Sequence, residues 1–118
     1  MTPEAFEAHC LGLPAAILVI QWGGTSVFKV GGKIFALTRG FVDRDEPGYM
    51  LKVSDMAYEL LIEQGLARPA PYLARAKWVQ LVSQDALPDD ELAAYLNQAH
   101  GLIAAKLTRA VRRELGLA

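Results

Sequence analysis

The sequence predicts an α+β domain: about five short strands in an antiparallel sheet, flanked by an N-terminal helix, a middle helix and a long C-terminal helix. Three observations predict it. A Gly-Gly hairpin joins two β-branched and aromatic runs, capped helical segments bracket the strand-rich centre, and the last thirty or so residues keep helical periodicity.

The first helix starts at Thr2-Pro3, an N-cap followed by proline at the first helical position, with Glu4 suited to the positive end of the dipole. Phe6, Cys10 and Leu13 recur at helical spacing, and Gly12 with Pro14 ends the element. Ala16–Gln21 is dense in β-branched residues and is expected as a buried strand, followed by a turn at Trp22-Gly23-Gly24-Thr25.

Ser26–Val30 and Lys33–Leu37 form a hairpin on Gly31-Gly32, since only glycine takes up positive φ cheaply. A two-residue loop would set Val30 against Lys33, Phe28 against Phe35 and Ser26 against Leu37. Phe28, Val30, Phe35 and Leu37 would then share one apolar face, with Val27, Lys29, Ile34 and Ala36 on the other.

Arg39–Gly48 is a polar loop, and Tyr49–Val53 is a fourth strand. Ser54 caps a helix to about Gln64, with Met56, Ala57, Leu60 and Leu61 inward and Gly65 closing it. Arg68–Leu73 carries Pro69 and Pro71, which excludes a regular helix or central strand and leaves a rigid crossover that fixes Tyr72. Lys77–Val82 is the fifth strand. From Pro88 onward Leu92, Leu96, Ala99, Ile103, Leu107 and Ala110 hold one helical face, with Gly101 a point for a kink or a split.

Composition narrows the function. The 118 residues have room for one core, so 1–118 is read as a single domain. Apolar residues make up 53% and charged ones 21%, which excludes disorder. Twelve basic against thirteen acidic residues leave −1, so no global basic field holds a polyanion. The lone Cys10 fits a small buried hydrophobe in a reducing, cytoplasmic setting. From the acidic Met-Thr-Pro-Glu start no signal peptide is expected, and the Leu11–Ile20 run is too short to span a bilayer.

No catalytic constellation emerges. Gly31-Gly32-Lys33 joins strand to strand, whereas a P-loop joins strand to helix and needs a following Ser or Thr. Asp43, Asp45 and Glu46 precede a glycine, but Lys52 and Ser54 stand where calcium ligands would be needed. His9 and His100 are too few for zinc, and adjacent His9 and Cys10 diverge by about 100° on a helix. Neither an enzyme, a metal nor a cofactor is expected.

Trp22, the hairpin Val27–Ala36, Leu51-Lys52-Val53, Pro69-Ala70-Pro71-Tyr72-Leu73, Lys77-Trp78-Val79 and the Leu87–Leu92 helix start occur together and in order. Over nearly its whole length the chain resembles the MmcQ/YjbR family of small bacterial proteins. The resemblance implies a CyaY-like fold and a proposed "double wing" DNA-binding motif. Asn97-Gln98-Ala99-His100 stands where many relatives are expected to carry a Ser-Tyr pair. The broader likeness to frataxin-type folds would suggest iron, but the first helix offers only Glu4 and Glu7.

The leading expectation is a non-enzymatic, DNA-binding or regulatory domain. Its contacts would be Lys29, Lys33, Lys52, Arg75, Lys77 and Trp78, with Lys106, Arg109 and Arg113 as a second stripe at i, i+3 and i+7. Such binding to DNA would be weak and salt-sensitive. The rival expectation is a protein-interaction or small-ligand module that never meets nucleic acid.

Overall fold

A computed structural model describes residues 1–39, 48–71 and 73–117. The interior of the Arg39–Gly48 loop, with Asp43, Asp45, Glu46 and Pro47, and the placement of Tyr72 lie outside the described residues. Helix α1 spans Pro3–Leu11, and the Thr2 hydroxyl accepts the Ala5 N–H at 3.1 Å as its cap. Then come β1 (Ile17–Gln21), β2 (Thr25–Val30), β3 (Lys33–Thr38) and β4 (Tyr49–Lys52). Helix α2 (Asp55–Glu63) is capped by Ser54, and β5 (Ala67–Pro69), a 3₁₀ turn (Ala74–Ala76) and β6 (Trp78–Leu81) follow. Helices α3 (Asp89–Ala104) and α4 (Arg109–Glu114) complete the order.

The strands form one six-stranded sheet in the order β1-β2-β3-β4-β6-β5, with every described pairing antiparallel. The helices cover one face. Phe6 and Cys10 from α1, Leu61 from α2, and Leu92, Leu96, Ala99 and Ile103 from α3 pack there against Phe28, Val30, Phe35, Tyr49, Leu51, Val79 and Leu81. Tyr49 stacks on Phe6 at 4.3 Å between ring centroids, and its hydroxyl donates to the Met1 carbonyl at 2.5 Å. Among the described residues the opposite face holds a smaller cluster: Val27, Leu37, Met50, Ala70 and Trp78, flanked by Ile34 and Leu73.

The hairpin register differs from expectation beyond its first two pairs. Val30 opposes Lys33 and Lys29 opposes Ile34, but Phe28 opposes Ala36 and Val27 opposes Leu37. A β-bulge makes Phe35 the extra residue, so consecutive Phe35 and Ala36 both join the helix-side core. Leu37 is thereby moved to the open face, and Ala36 to the covered one. Phe28 and Phe35 share a face as expected, without being cross-strand partners.

Four other expectations are corrected. Strand β1 is an edge, not a buried strand, and Ile17 and Ile20 are more than half exposed. Met56 and Leu60 point outward, because α2 lies over the β5 side of the sheet and buries only Ala57 and Leu61. The crossover begins with a sixth strand, β5, which tolerates Pro69 because it is an edge. The long last helix does break, but at Thr108, whose hydroxyl accepts the Val111 N–H at 3.2 Å to start α4, whereas Gly101 lies inside α3.

Candidate functional site

The open face carries a concavity of about 490 Å³. Strands β2, β3, β4 and β6 supply Thr25, Ile34, Leu37, Met50, Trp78 and Gln80. Pro71 and Leu73 come from the segment after β5, and Trp22 and Arg39 from the β1–β2 turn and the end of β3. The lining is explained by alternation in the strands. Met50 and Trp78 lie on the same side because Met50 pairs with Gln80 and Lys52 with Trp78, two residues along each strand. The bulge adds Leu37 by turning it away from the helices.

Chain geometry past β5 closes one part of the rim. The Ala70 N–H donates to the Trp78 carbonyl at 3.1 Å, and the Trp78 N–H donates to Leu73 at 3.2 Å. Pro71 is thus held against the start of β6. Elsewhere on the rim, Arg39 Nη2 donates to the Gly23 carbonyl at 3.4 Å, tying β3 to the β1–β2 turn.

Trp22 is the unusual residue. It is 63% exposed, lines the concavity, and holds φ at +47°. A bulky L-residue avoids that left-handed region, which costs roughly 1–2 kcal/mol. The indole is thus exposed beside the apolar hollow on a backbone conformation that its side chain disfavours.

The basic residues divide. Lys52 donates to the carbonyls of Val53 at 3.2 Å and Ala76 at 2.5 Å. Desolvation pulls its pKa down, and the positive charges of Lys106 and Lys77 add to that, partly opposed by Asp55. Lys77, at φ +60°, sits over the Tyr58 ring at 4.7 Å. Lys52, Lys77 and Lys106 therefore gather at one end of the sheet, with exposed Arg75 two residues before Lys77.

The remaining sequence-predicted contacts are not brought into one patch. Lys29 pairs with Ile34 on the open face, while Lys33 pairs with Val30, whose side chain enters the helix-side core. Lys106, Arg109 and Arg113 do not form a continuous helical stripe, because Leu107 packs into the hairpin turn and Thr108 starts a new helix. Trp78 is only 6% exposed and belongs to the lining of the concavity rather than to the outer surface.

Both histidines have structural partners. His100 Nε2 donates to the Pro14 carbonyl at 2.7 Å, with its ring edge-on to Phe35. His9 Nε2 and Asn97 Oδ1 are 2.8 Å apart. Asn97 and His100, at the place of the expected Ser-Tyr pair, thus clamp α1 and the segment after it onto α3. Burial and the nearby Glu7 push the Cys10 thiol up to about 12, which leaves it unreactive at neutral pH. Among the described residues no cluster of three His, Cys, Asp or Glu side chains could hold a metal, and no helix is long and apolar enough to cross a membrane.

Among the described lining residues only Trp78 is named from the sequence, and there as a nucleic-acid contact; Trp22, Thr25, Ile34, Leu37, Arg39, Met50, Pro71, Leu73 and Gln80 are not among the expected contacts. Alternation along β4 and β6 carried the signal for Met50 and Trp78. The bulge concealed Leu37.

Comparison with known proteins agrees with this architecture. The chain superposes on the crystal structure of Deinococcus radiodurans protein DR2400, a protein with a DUF419 domain, with a TM-score of 0.81 and 27% identity. The match covers 99% of this chain and 89% of that one. No curated protein matches. The family model YjbR matches residues 11–102, through the hairpin, the open-face strands and most of α3. The chain belongs to the YjbR family.

Proposed function

We propose that this domain is a non-enzymatic binding module whose open sheet face takes a small, flat, largely apolar molecule. The observation that carries this reading is the 490 Å³ concavity with Trp22 and Trp78 in its lining. That volume lies within the range of small-molecule sites, about 300–1,000 Å³. The side chains around it suit an aromatic ring: two indoles, Ile34, Leu37, Met50 and Leu73, with Thr25, Gln80 and Arg39 as the polar groups that orient it.

The test is a titration of anilinonaphthalene sulfonate, a naphthalene with one anionic group, followed by dye fluorescence. The native protein should bind one equivalent saturably. Met50→Trp, which fills the hollow, should abolish binding while leaving the unfolding transition cooperative. Equal binding by the two proteins would reject the site.

A second reading is supported by the gathering of Lys52, Lys77 and Lys106, with Arg75 beside them. These would hold DNA through phosphates. With about four contacts, affinity should fall with a log–log salt slope near −4. Arg75→Glu with Lys77→Glu should weaken duplex binding at about 50 mM salt and flatten that slope. Equal or absent binding in both proteins would remove this reading and leave the first intact.

A further inference from the structure

The two edges of the sheet are built differently. Strand β5 has three residues, and it exposes Arg68 and Pro69. Charge, proline and short length are the usual devices that stop an edge from pairing with another chain. Strand β1, Ile-Leu-Val-Ile-Gln, has none of them. It is five residues long, pairs with β2 in unbroken register, and contains no charge, proline or glycine. Ile17 is 53% exposed and Ile20 59% exposed, on opposite faces of the strand.

We infer that β1 pairs antiparallel with β1 of a second copy, making a two-fold dimer with one continuous sheet. The occupant follows from the strand itself. A two-fold axis through Val19 overlaps all five residues, setting Val19 against its own copy, Leu18 against Ile20 and Ile17 against Gln21. Paired residues keep their faces, so the helix layers of both copies lie on the same side. No residue of the strand is charged, so self-pairing brings no like charges together. The guarded β5 edge cannot extend the array, so association closes at two rather than growing into a fibre. A five-residue edge is a small interface, and the dimer belongs to the weak class, with Kd of order 100 μM.

Sedimentation of the whole chain across a concentration series tests this. The native protein should convert from monomer to dimer, and Ile20→Lys and Ile20→Glu should each weaken association by at least about tenfold. These two substitutions lie on an exposed side chain and leave the fold in place. Across the axis the two residues at position 20 are diagonal neighbours, so an equimolar mixture of the Lys and Glu variants should regain the dimer. Val19→Cys should form a symmetric interchain disulfide under mild oxidation, ahead of the exposed control Gln64→Cys. Native protein that stays monomeric throughout would overturn the inference. So would a dimer indifferent to the charge at position 20, or cross-linking no faster at position 19 than at position 64. Capture of an unrelated extended peptide by β1 without self-association would also overturn it.

Discussion

Single residues carry the clearest departures from indifference. Trp22 holds a left-handed backbone that glycine would adopt freely. Trp22→Gly should therefore leave stability unchanged or raise it by up to about 1 kcal/mol, while ligand affinity drops. Thermal unfolding and dye titration of the same variant separate the two effects; a variant that is both weaker-folding and unaltered in binding would make Trp22 structural. Cys10 gives a pH signature. Its thiol is ordinary near 9.0 in an unfolded chain and is pushed up to about 12 by burial and Glu7. Below 9.0 both states keep the proton, and above it only the unfolded chain ionises freely, so stability falls as pH rises towards 12. Cys10→Ala should flatten that alkaline decline in denaturant titrations, whatever its effect at neutral pH. Tyr49 is displaced in the same direction, chiefly by desolvation, with Glu4, Asp85 and Asp89 adding to it, so part of the decline should survive in the Cys10 variant.

At the scale of elements, the local signals were strong wherever a short motif decides the backbone. Thr2-Pro3, Ser54 and Gly31-Gly32 set a helix start, a second helix start and a turn, and each does so in the structure. What sequence could not supply was set by longer-range packing. The bulge at Phe35 breaks an alternation that, taken alone, sends Leu37 inward, and so hides its place in the lining of the hollow. Lys106, Arg109 and Arg113 looked like a stripe because Thr108 reads equally well inside a helix or as a cap. Its capping role follows from Leu107 being drawn towards the hairpin turn. That contact yields a prediction. A Cβ on Gly31 would stand 2.6 Å from Leu107 Cδ1, whereas Gly32 has open space around it. Both glycines have positive φ, so both alanine variants bear strain, but Gly31→Ala should cost about 1–2 kcal/mol more than Gly32→Ala. Chemical denaturation of the pair checks this, and equal costs would mean that the α3–α4 link yields freely to the turn.

For the whole molecule, the division of labour is between the two faces of the sheet. The helix-side face buries Phe6, Phe28, Phe35, Tyr49 and Leu92 completely and holds the fold. The open face gathers its apolar residues around a hollow that no helix among the described residues covers, with the Trp22 indole exposed beside it. Substitutions on the two faces should separate accordingly. Phe28→Ala should cost about 3–5 kcal/mol, while Met50→Trp should alter binding before stability. The most direct test of the open-face site is methyl-resolved NMR during titration with anilinonaphthalene sulfonate. The site predicts saturable shifts confined to Ile34, Leu37, Met50 and Leu73, with Leu92, Leu96 and Ile103 under the helices unmoved. Shifts centred on the helix-side methyls, or none at Met50 and Ile34, would contradict it.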